Sequence, residues 1–153
     1  MAITTAVATT DTTLFMKRTF NASREEVFKA WTTPALLTQW FAGGKEYVGS
    51  VAEVDLRVGG RFRMGMKHVP SGKDHIATGV YREVKFPERI VFTWLWEGEP
   101  EHGESRITID LRDVGGNTEM RFTQEFLPNK KERDDHEGGW TGCFERLEQV
   151  LQR

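Results

Sequence analysis

The sequence predicts an α+β fold in which an antiparallel sheet packs against one long helix at the end of the chain. Much of residues 54–126 alternates apolar and polar side chains with the two-residue period of strands. The end of the chain instead repeats apolar residues at the spacing of one helix face: Trp140, Cys143, Phe144, Leu147, Val150 and Leu151. A helix with one apolar face must bury that face, and a sheet is the partner that the sequence offers.

The first third of the chain predicts one strand and two short helices. Residues 14–20 are rich in apolar and β-prone side chains and predict the first strand. A capping box that begins at Ser23 predicts the start of a first helix. Thr33 is then predicted as the N-cap of a second helix, with Pro34 at its first position.

Six further strands are predicted in the middle of the chain. Residues 54–58 and 61–66 should form a hairpin whose two-residue turn is a glycine pair. Residues 68–74 contain Pro, Ser and Gly and predict a loop. The remaining four strands are predicted at residues 76–84, 89–97, 105–112 and 118–126.

The start of the last helix carries a feature that calls for explanation. Residues 130–137 mix both charge signs and predict a solvated helical lead-in. Gly138, Gly139 and Gly142 follow, although a glycine costs about 1 kcal/mol in a helix interior. Their presence predicts a close backbone approach to the sheet or a ligand, or a helix start that can flex as a lid.

Length and composition limit the number of domains, the kind of partner and the location that the chain can have. The 153 residues predict one domain, residues 13–153, preceded by a flexible extension of residues 1–12. A net charge of -2 without a basic run disfavours a nucleic-acid partner. A single cysteine excludes an internal disulfide and favours a cytoplasmic location. No apolar stretch is long enough to span a membrane, and the beginning of the chain does not read as a signal peptide.

Several short segments carry a family resemblance. They are residues 20–31, 37–41, 93–94 and 136–140, together with the most specific piece, Asp55-Leu56-Arg57-Val58-Gly59-Gly60-Arg61-Phe62. With the order of elements, these segments resemble the START-like, or SRPBCC, superfamily, whose members have the helix-grip fold. Within it, the chain is most similar to homologues of the C-terminal domain of the activator of the heat-shock-protein-90 ATPase.

The resemblance implies a cavity between the curved sheet and the last helix that binds a small, largely apolar or aromatic ligand. Arg82 would be an inward charge if its strand face turned toward this cavity. The resemblance places the following side chains on the wall: Trp40, Phe41, Phe62, Met64, Met66, Val80, Trp94, Trp96, Ile109, Phe122, Gln124, Trp140 and Phe144. The alternative is that these side chains fill the space themselves.

No catalytic residue, metal site or cofactor is predicted. The four histidines fall in predicted loops or at a helix start, without metal-ligand spacing among them. Cys143 lies within the apolar helix face and is predicted to be core. Gln124 departs from the family pattern, in which many members carry an inward His.

Three functions therefore stay open. The preferred one is ligand binding without catalysis. The second is a cyclase, aromatase or hydrolase acting on a polyketide or aromatic substrate, polarised by Gln124, Arg82 or Glu97. The third is an interaction module for the chaperone. A homodimer is also predicted, because the apolar side chains of Val91 and Leu95 lie on an outer sheet face that a second copy would bury.

Overall fold

Residues 9–151 are described by the structure, which is a computed structural model, and they form one sheet and its helices. The elements are β1 (Leu14–Phe20), α1 (Arg24–Thr32), α2 (Pro34–Trp40), β2 (Tyr47–Val54), β3 (Arg61–His68), β4 (Lys73–Lys85), β5 (Arg89–Trp96), a 3-10 turn (Pro100–His102), β6 (Ser105–Val114), β7 (Asn117–Glu125) and α3 (Lys130–Leu151).

The seven strands of this part of the chain form one antiparallel sheet in the order β1-β7-β6-β5-β4-β3-β2. The two short helices connect one edge strand, β1, to the other, β2. The sheet curls around α3, so the predicted helix-grip architecture is confirmed. No helix in residues 9–151 is long and apolar enough to cross a membrane.

The concave face of the sheet and the apolar face of α3 share one core. Trp140, Cys143, Phe144, Leu147 and Leu151 are buried, as the helical spacing predicts. Full burial of one large apolar side chain is worth about 1.5–3 kcal/mol, so this face provides much of what holds α3 in the sheet.

The starts of α1 and α2 follow the sequence signals in different ways. The capping box is present: Glu26 N–H donates to Ser23 Oγ at 3.2 Å, and Ser23 N–H donates to Glu26 Oε1 at 3.5 Å. Pro34 begins α2 as predicted, but the Thr33 side chain makes no capping hydrogen bond. Trp40 Nε1 donates to the Ala30 carbonyl at 2.9 Å and ties the two helices together.

β2 and β3 form an antiparallel hairpin as predicted, but the predicted two-residue turn at the glycine pair is wrong. The strand before it is Tyr47–Val54, and residues 55–60 form a longer connection. Hydrogen bonds within this loop stabilise it. Asp55 accepts from Arg57 Nε, and Gly60 N–H donates to the Arg57 carbonyl. Gly49 and a register shift beside it break the alternation of β2, which hid this strand from the pattern.

Two further boundaries differ from the prediction. The predicted loop at 68–74 is shorter than predicted, because β3 continues to His68 and β4 begins at Lys73, which leaves residues 69–72 as the turn. The charged lead-in is helical as predicted, but it is continuous with α3, which starts at Lys130. The Asn129 side chain accepts from Glu132 N–H at 2.9 Å and satisfies one of the free donors at this end.

The predicted N-terminal extension lies mostly outside the described residues, which begin at residue 9. Residues 9–12 contact the domain. The Thr12 carbonyl accepts from Leu127 N–H at 3.0 Å, and the Thr10 carbonyl accepts from Arg133 Nη1 at 2.7 Å. The domain boundary at residue 13 stays a prediction.

On the outer face of β5, Val91 is buried within the chain and Leu95 is half-buried. Ile90, Phe92 and Trp94 belong to the core, so the alternating Val91 points away from α3. Val91 is nevertheless only 7% exposed. Val91 is therefore buried without contact with a second copy of this chain. The homodimer stays a prediction.

Gly142 lies where α3 crosses the loop after α2. A Cβ at Gly142 would lie 2.5 Å from the Gly43 carbonyl oxygen, which is too close for any side chain. A Cβ at Gly43 would in turn lie 3.3 Å from Gly139 Cα. The predicted close approach is thus real, but its partner is this loop, not the sheet. Gly138 is different, since a Cβ there would meet nothing within 4 Å.

Alanine at these two helix positions should have opposite effects. Gly138→Ala should raise the free energy of unfolding by about 0.5–1 kcal/mol through helix propensity. Gly142→Ala should lower it by about 1–3 kcal/mol, because the backbone must move to admit the methyl group. Urea denaturation of both variants measures the difference, with Gly138→Ala as the matched control. Equal effects of the two substitutions would contradict the close crossing.

Candidate functional site

A cavity of about 360 Å³ lies at the N-terminal end of α3, between this helix, the ends of β2 to β5 and the β5–β6 loop (residues 97–104). Its lining combines an aromatic wall with a rim of histidines and carboxylates. The lining residues are Phe41, Tyr47, Met66, His75, Trp94, Trp96, Glu99, His102, Glu132, Asp135, His136, Gly139, Trp140 and Cys143.

The aromatic wall is built from rings packed at steep angles. Trp94 is 5.2 Å from Trp140 and 5.4 Å from Trp96 between ring centroids, the latter pair edge to face. Phe41 is 5.8 Å from both Trp94 and Trp140. Tilted and edge-to-face pairs are the favoured arrangements of aromatic rings, so the wall is stabilised by its own contacts.

A buried amide fixes the Trp140 ring. Trp140 Nε1 donates to Gln124 Oε1 at 3.0 Å, and Gln124 Nε2 donates to Ser105 Oγ at 2.9 Å. Gln124 is fully buried, so these bonds satisfy an amide that would otherwise be costly to bury. The polar residue on the inner face of β7 thus positions a wall residue without lining the cavity itself.

His102 joins the β5–β6 loop to the first turn of α3. Its Nδ1 lies 2.6 Å from Glu132 Oε1, and its Nε2 lies 3.4 Å from Glu99 and 3.9 Å from Glu101. The hydrogen bond to Glu132 raises the pKa of His102 above its ordinary value, and the two other carboxylates add to this effect.

The pKa of His136 is shifted in the opposite direction. Its Nδ1 donates to the Glu132 carbonyl at 2.7 Å, and its Nε2 accepts from Trp96 Nε1 at 3.2 Å. Burial lowers the pKa of His136, which agrees with a neutral ring whose Nε2 is an acceptor. His136 therefore orients the Trp96 indole at the edge of the cavity.

One group of side chains in residues 9–151 has the spacing to hold a metal ion. Glu99, Glu101 and His102 each offer a ligand atom, and these atoms lie within 4.8 Å of one another. The same side chains also contact one another directly, since His102 Nε2 lies 3.4 Å from Glu99 and 3.9 Å from Glu101. The prediction of no metal site stays a prediction.

Cys143 also lines the cavity, but its thiol is unreactive. It is 2% exposed, and burial raises the pKa of its thiol to about 12. The thiolate is the reactive form of cysteine, so Cys143 acts here as a small apolar side chain.

The structure divides the predicted wall residues into three groups. Phe41, Met66, Trp94, Trp96 and Trp140 line the cavity. A second group is buried in the core beside it: Trp40, Phe62, Met64, Ile109, Phe122, Gln124 and Phe144. Val80 and Arg82 form the third group, because β4 turns His75, Ala77 and Tyr81 toward the core and these two outward.

Residues that sequence reasoning missed form the polar rim. The histidines were predicted in loops or at a helix start, but His75 is in β4 and His136 is inside α3. One signal was available, since residues 132, 136 and 139 extend the helix face of Trp140 and Cys143 toward the N-terminus. The rim residues of the β5–β6 loop have no such pattern, because the loop is irregular.

Comparison with known proteins agrees with the helix-grip class that the fold defines. The family model "Activator of Hsp90 ATPase homolog 1-like protein" matches residues 21–152. The chain therefore belongs to this family. No curated protein matches the chain at a significant level.

Solved structures show the same fold over nearly the whole chain. A protein from Chromobacterium violaceum is 27% identical with a TM-score of 0.85, and the match covers 93% of this chain and 98% of that one. An uncharacterised protein from Rhizobium leguminosarum is 27% identical with a TM-score of 0.77, over 91% and 93%. An HSP90 activator from Plasmodium falciparum is 24% identical with a TM-score of 0.71, over 92% and 96%, which shows the shared fold.

Removing the buried amide should destabilise the fold through Trp140. Gln124→Leu leaves Trp140 Nε1 without its acceptor and should lower the free energy of unfolding by about 1–3 kcal/mol. In a double-mutant cycle with Trp140→Phe, the coupling energy should be about 0.5–3 kcal/mol. Gln149→Leu, at an exposed position of α3, is the control. A coupling energy near zero would contradict the assigned hydrogen bond.

The His102–Glu132 contact predicts a measurable titration. In an NMR titration, the pKa of His102 should lie above the ordinary value of 6.5 and fall toward it in Glu132→Gln. Because the folded-state pKa is raised, the stability from this contact is full below pH 6.5 and is lost as pH rises through the folded-state value. Glu137→Gln, on the exposed side of α3, should leave the titration unchanged. An unaltered His102 titration in Glu132→Gln would overturn the pairing.

Proposed function

We propose that this protein binds a small, largely apolar or aromatic ligand in the cavity at the N-terminal end of α3. The observation that carries the proposal is the aromatic wall around a volume of about 360 Å³. Small-molecule sites span about 300–1,000 Å³ and are mostly apolar with a few polar groups that orient the ligand. The cavity has this character, and its polar groups are confined to the rim.

One residue of the wall also carries an unpaired donor. Trp94 is 1% exposed, and its Nε1 has no acceptor in residues 9–151. Buried indole N–H groups normally have an acceptor. Trp31, Ser50 and Tyr81 also carry unpaired buried atoms, but Trp94 is the one of these four that lines the cavity. This nitrogen is itself buried, so a ligand in the open volume would not reach it in this structure, and the proposal rests on the aromatic wall and the rim.

The enzyme alternative rested on three polar residues, and none of them lines the cavity. Gln124 is occupied by Ser105 and Trp140. Arg82 is exposed on the outer face of β4. Glu97 accepts two hydrogen bonds from Arg63, at 2.7 and 2.9 Å, which lower its pKa. These positions support binding over the proposed polarisation of a substrate.

Chaperone interaction is the second candidate. The family's description and the Plasmodium falciparum HSP90 activator support it. Such an interaction uses the protein surface, so filling the cavity should leave it intact, whereas ligand binding should be lost. We further propose a cytoplasmic location, because the chain has a single cysteine. We also propose that it has no nucleic-acid partner, because its net charge is -2.

A substitution that fills the cavity should abolish ligand binding. Gly139 lines the cavity, and a Cβ there would meet nothing within 4 Å, so Gly139→Leu can place its side chain in the open volume. N-phenyl-1-naphthylamine, a neutral fluorescent probe, should bind the unaltered protein, and Gly139→Leu should weaken binding at least about tenfold, or 1.4 kcal/mol.

Gly138→Leu is the matched control, because Gly138 is exposed and does not line the cavity. It should keep the probe affinity within a factor of about two, well under the 1.4 kcal/mol of a tenfold change. Circular dichroism verifies that both variants fold. Equal loss of binding in both variants, or no binding by the unaltered protein, would contradict the proposed site.

A further inference from the structure

Apart from its histidines, the charged residues that line the cavity are all acidic. Its carboxylates are Glu99, Glu132 and Asp135, and no Lys or Arg is among the lining residues. A fourth carboxylate, Glu101, lies 3.9 Å from His102 at the same rim. An apolar cavity whose rim carries only acidic and imidazole groups is electrostatically selective for the charge of its ligand.

The cations nearby do not neutralise this rim. Glu99, Glu101 and Glu132 all surround the single ring of His102, so even a protonated His102 leaves two surplus negative charges. His136 adds no positive charge, because its Nε2 accepts a hydrogen bond from Trp96.

Two nearby cations have their partners outside the open volume, and one of them is Arg146, which donates to the carbonyls of Gly44 and Tyr47 and is not a lining residue. Asp135 pairs with Lys131 at 2.9 Å, but the Lys131 side chain is 82% exposed and lies outside the lining. His75 is half-buried on the opposite wall, in β4. An entering group thus meets an excess of negative charge at the rim before it reaches the aromatic wall.

The aromatic wall favours the same sign of charge. The faces of Trp and Tyr rings attract cations, with the strongest interaction at Trp. Trp94, Trp96 and Trp140 meet at steep angles, so a group between them would contact more than one ring. Tyr47 and Phe41 complete this wall. Carboxylates beside tryptophan faces are a combination suited to an ammonium group.

We propose that the ligand is an organic amine, whose apolar or aromatic body lies against Trp94 and Trp140 and whose ammonium group lies at Glu99 and Glu132. This inference rests on the proposed ligand-binding function and specifies the class of ligand. The proposal also excludes carboxylic acids as ligands, because the carboxylate of a fatty acid or aromatic acid would lie at the acidic rim without a Lys or Arg partner.

Three probes with one ring system and different charges test the proposal. They are 2-(1-naphthyl)ethylamine, 2-(1-naphthyl)ethanol and 1-naphthaleneacetate, which are a cation, a neutral molecule and an anion at pH 7. Calorimetric titration should give the amine an affinity about tenfold or more above the alcohol, a difference of 1.4 kcal/mol, with the acetate weakest. Raising the salt concentration should weaken binding of the amine much more than binding of the alcohol.

Two variants locate the source of the preference. Glu99→Gln should reduce the affinity for the amine severalfold and leave that for the alcohol unchanged. Glu104→Gln is the matched control, since Glu104 is exposed on the same loop and outside the lining. Alcohol binding that equals or exceeds amine binding, or tightest binding of the acetate, would overturn the amine proposal and leave ligand binding standing. Failure of all three probes to bind would overturn both.

Discussion

The Trp140 indole is the group on which both the core and the cavity depend. Its ring packs 4.9 Å from Phe122 and 5.6 Å from Phe144 on the core side, and 5.2 Å from Trp94 on the cavity side. Its N–H is held by the Gln124 amide. The hydrogen bond fixes which way the ring faces, so a polar contact inside the core determines the shape of an apolar wall.

The approach of two backbones sets the position of the helix that carries Trp140. Gly142 lies against the Gly43 carbonyl, and Arg146, one turn further along, donates to the carbonyls of Gly44 at 2.6 Å and Tyr47 at 2.9 Å. The loop after α2 is therefore attached to α3 twice. Because Phe41 and Tyr47 flank this loop, the same attachment places two wall residues of the cavity.

Sequence pattern predicted the parts of the structure that repeat. The buried face of α3 and most strands follow regular spacing, and the Ser23 capping box follows a local rule, so each could be read from nearby residues. The β2 strand was missed where Gly49 interrupts its alternation. The site was predicted only in part, because lining depends on how far each inward side chain lies from the open volume. Phe122 and Trp94 share one pattern and both are buried, but of the two only Trp94 also borders the cavity.

The polar rim escaped prediction for a related reason. His102 and Glu132 are 30 residues apart and meet only because the β5–β6 loop lies over the first turn of α3. This separation has an evolutionary consequence. The turns of α3 before Trp140 and the β5–β6 loop contribute no side chain to the buried core of the described residues, so their residues can be exchanged without disturbing the packing that begins at Trp140. A scaffold divided in this way can acquire new ligand preferences by changes at the rim while its fold is inherited intact.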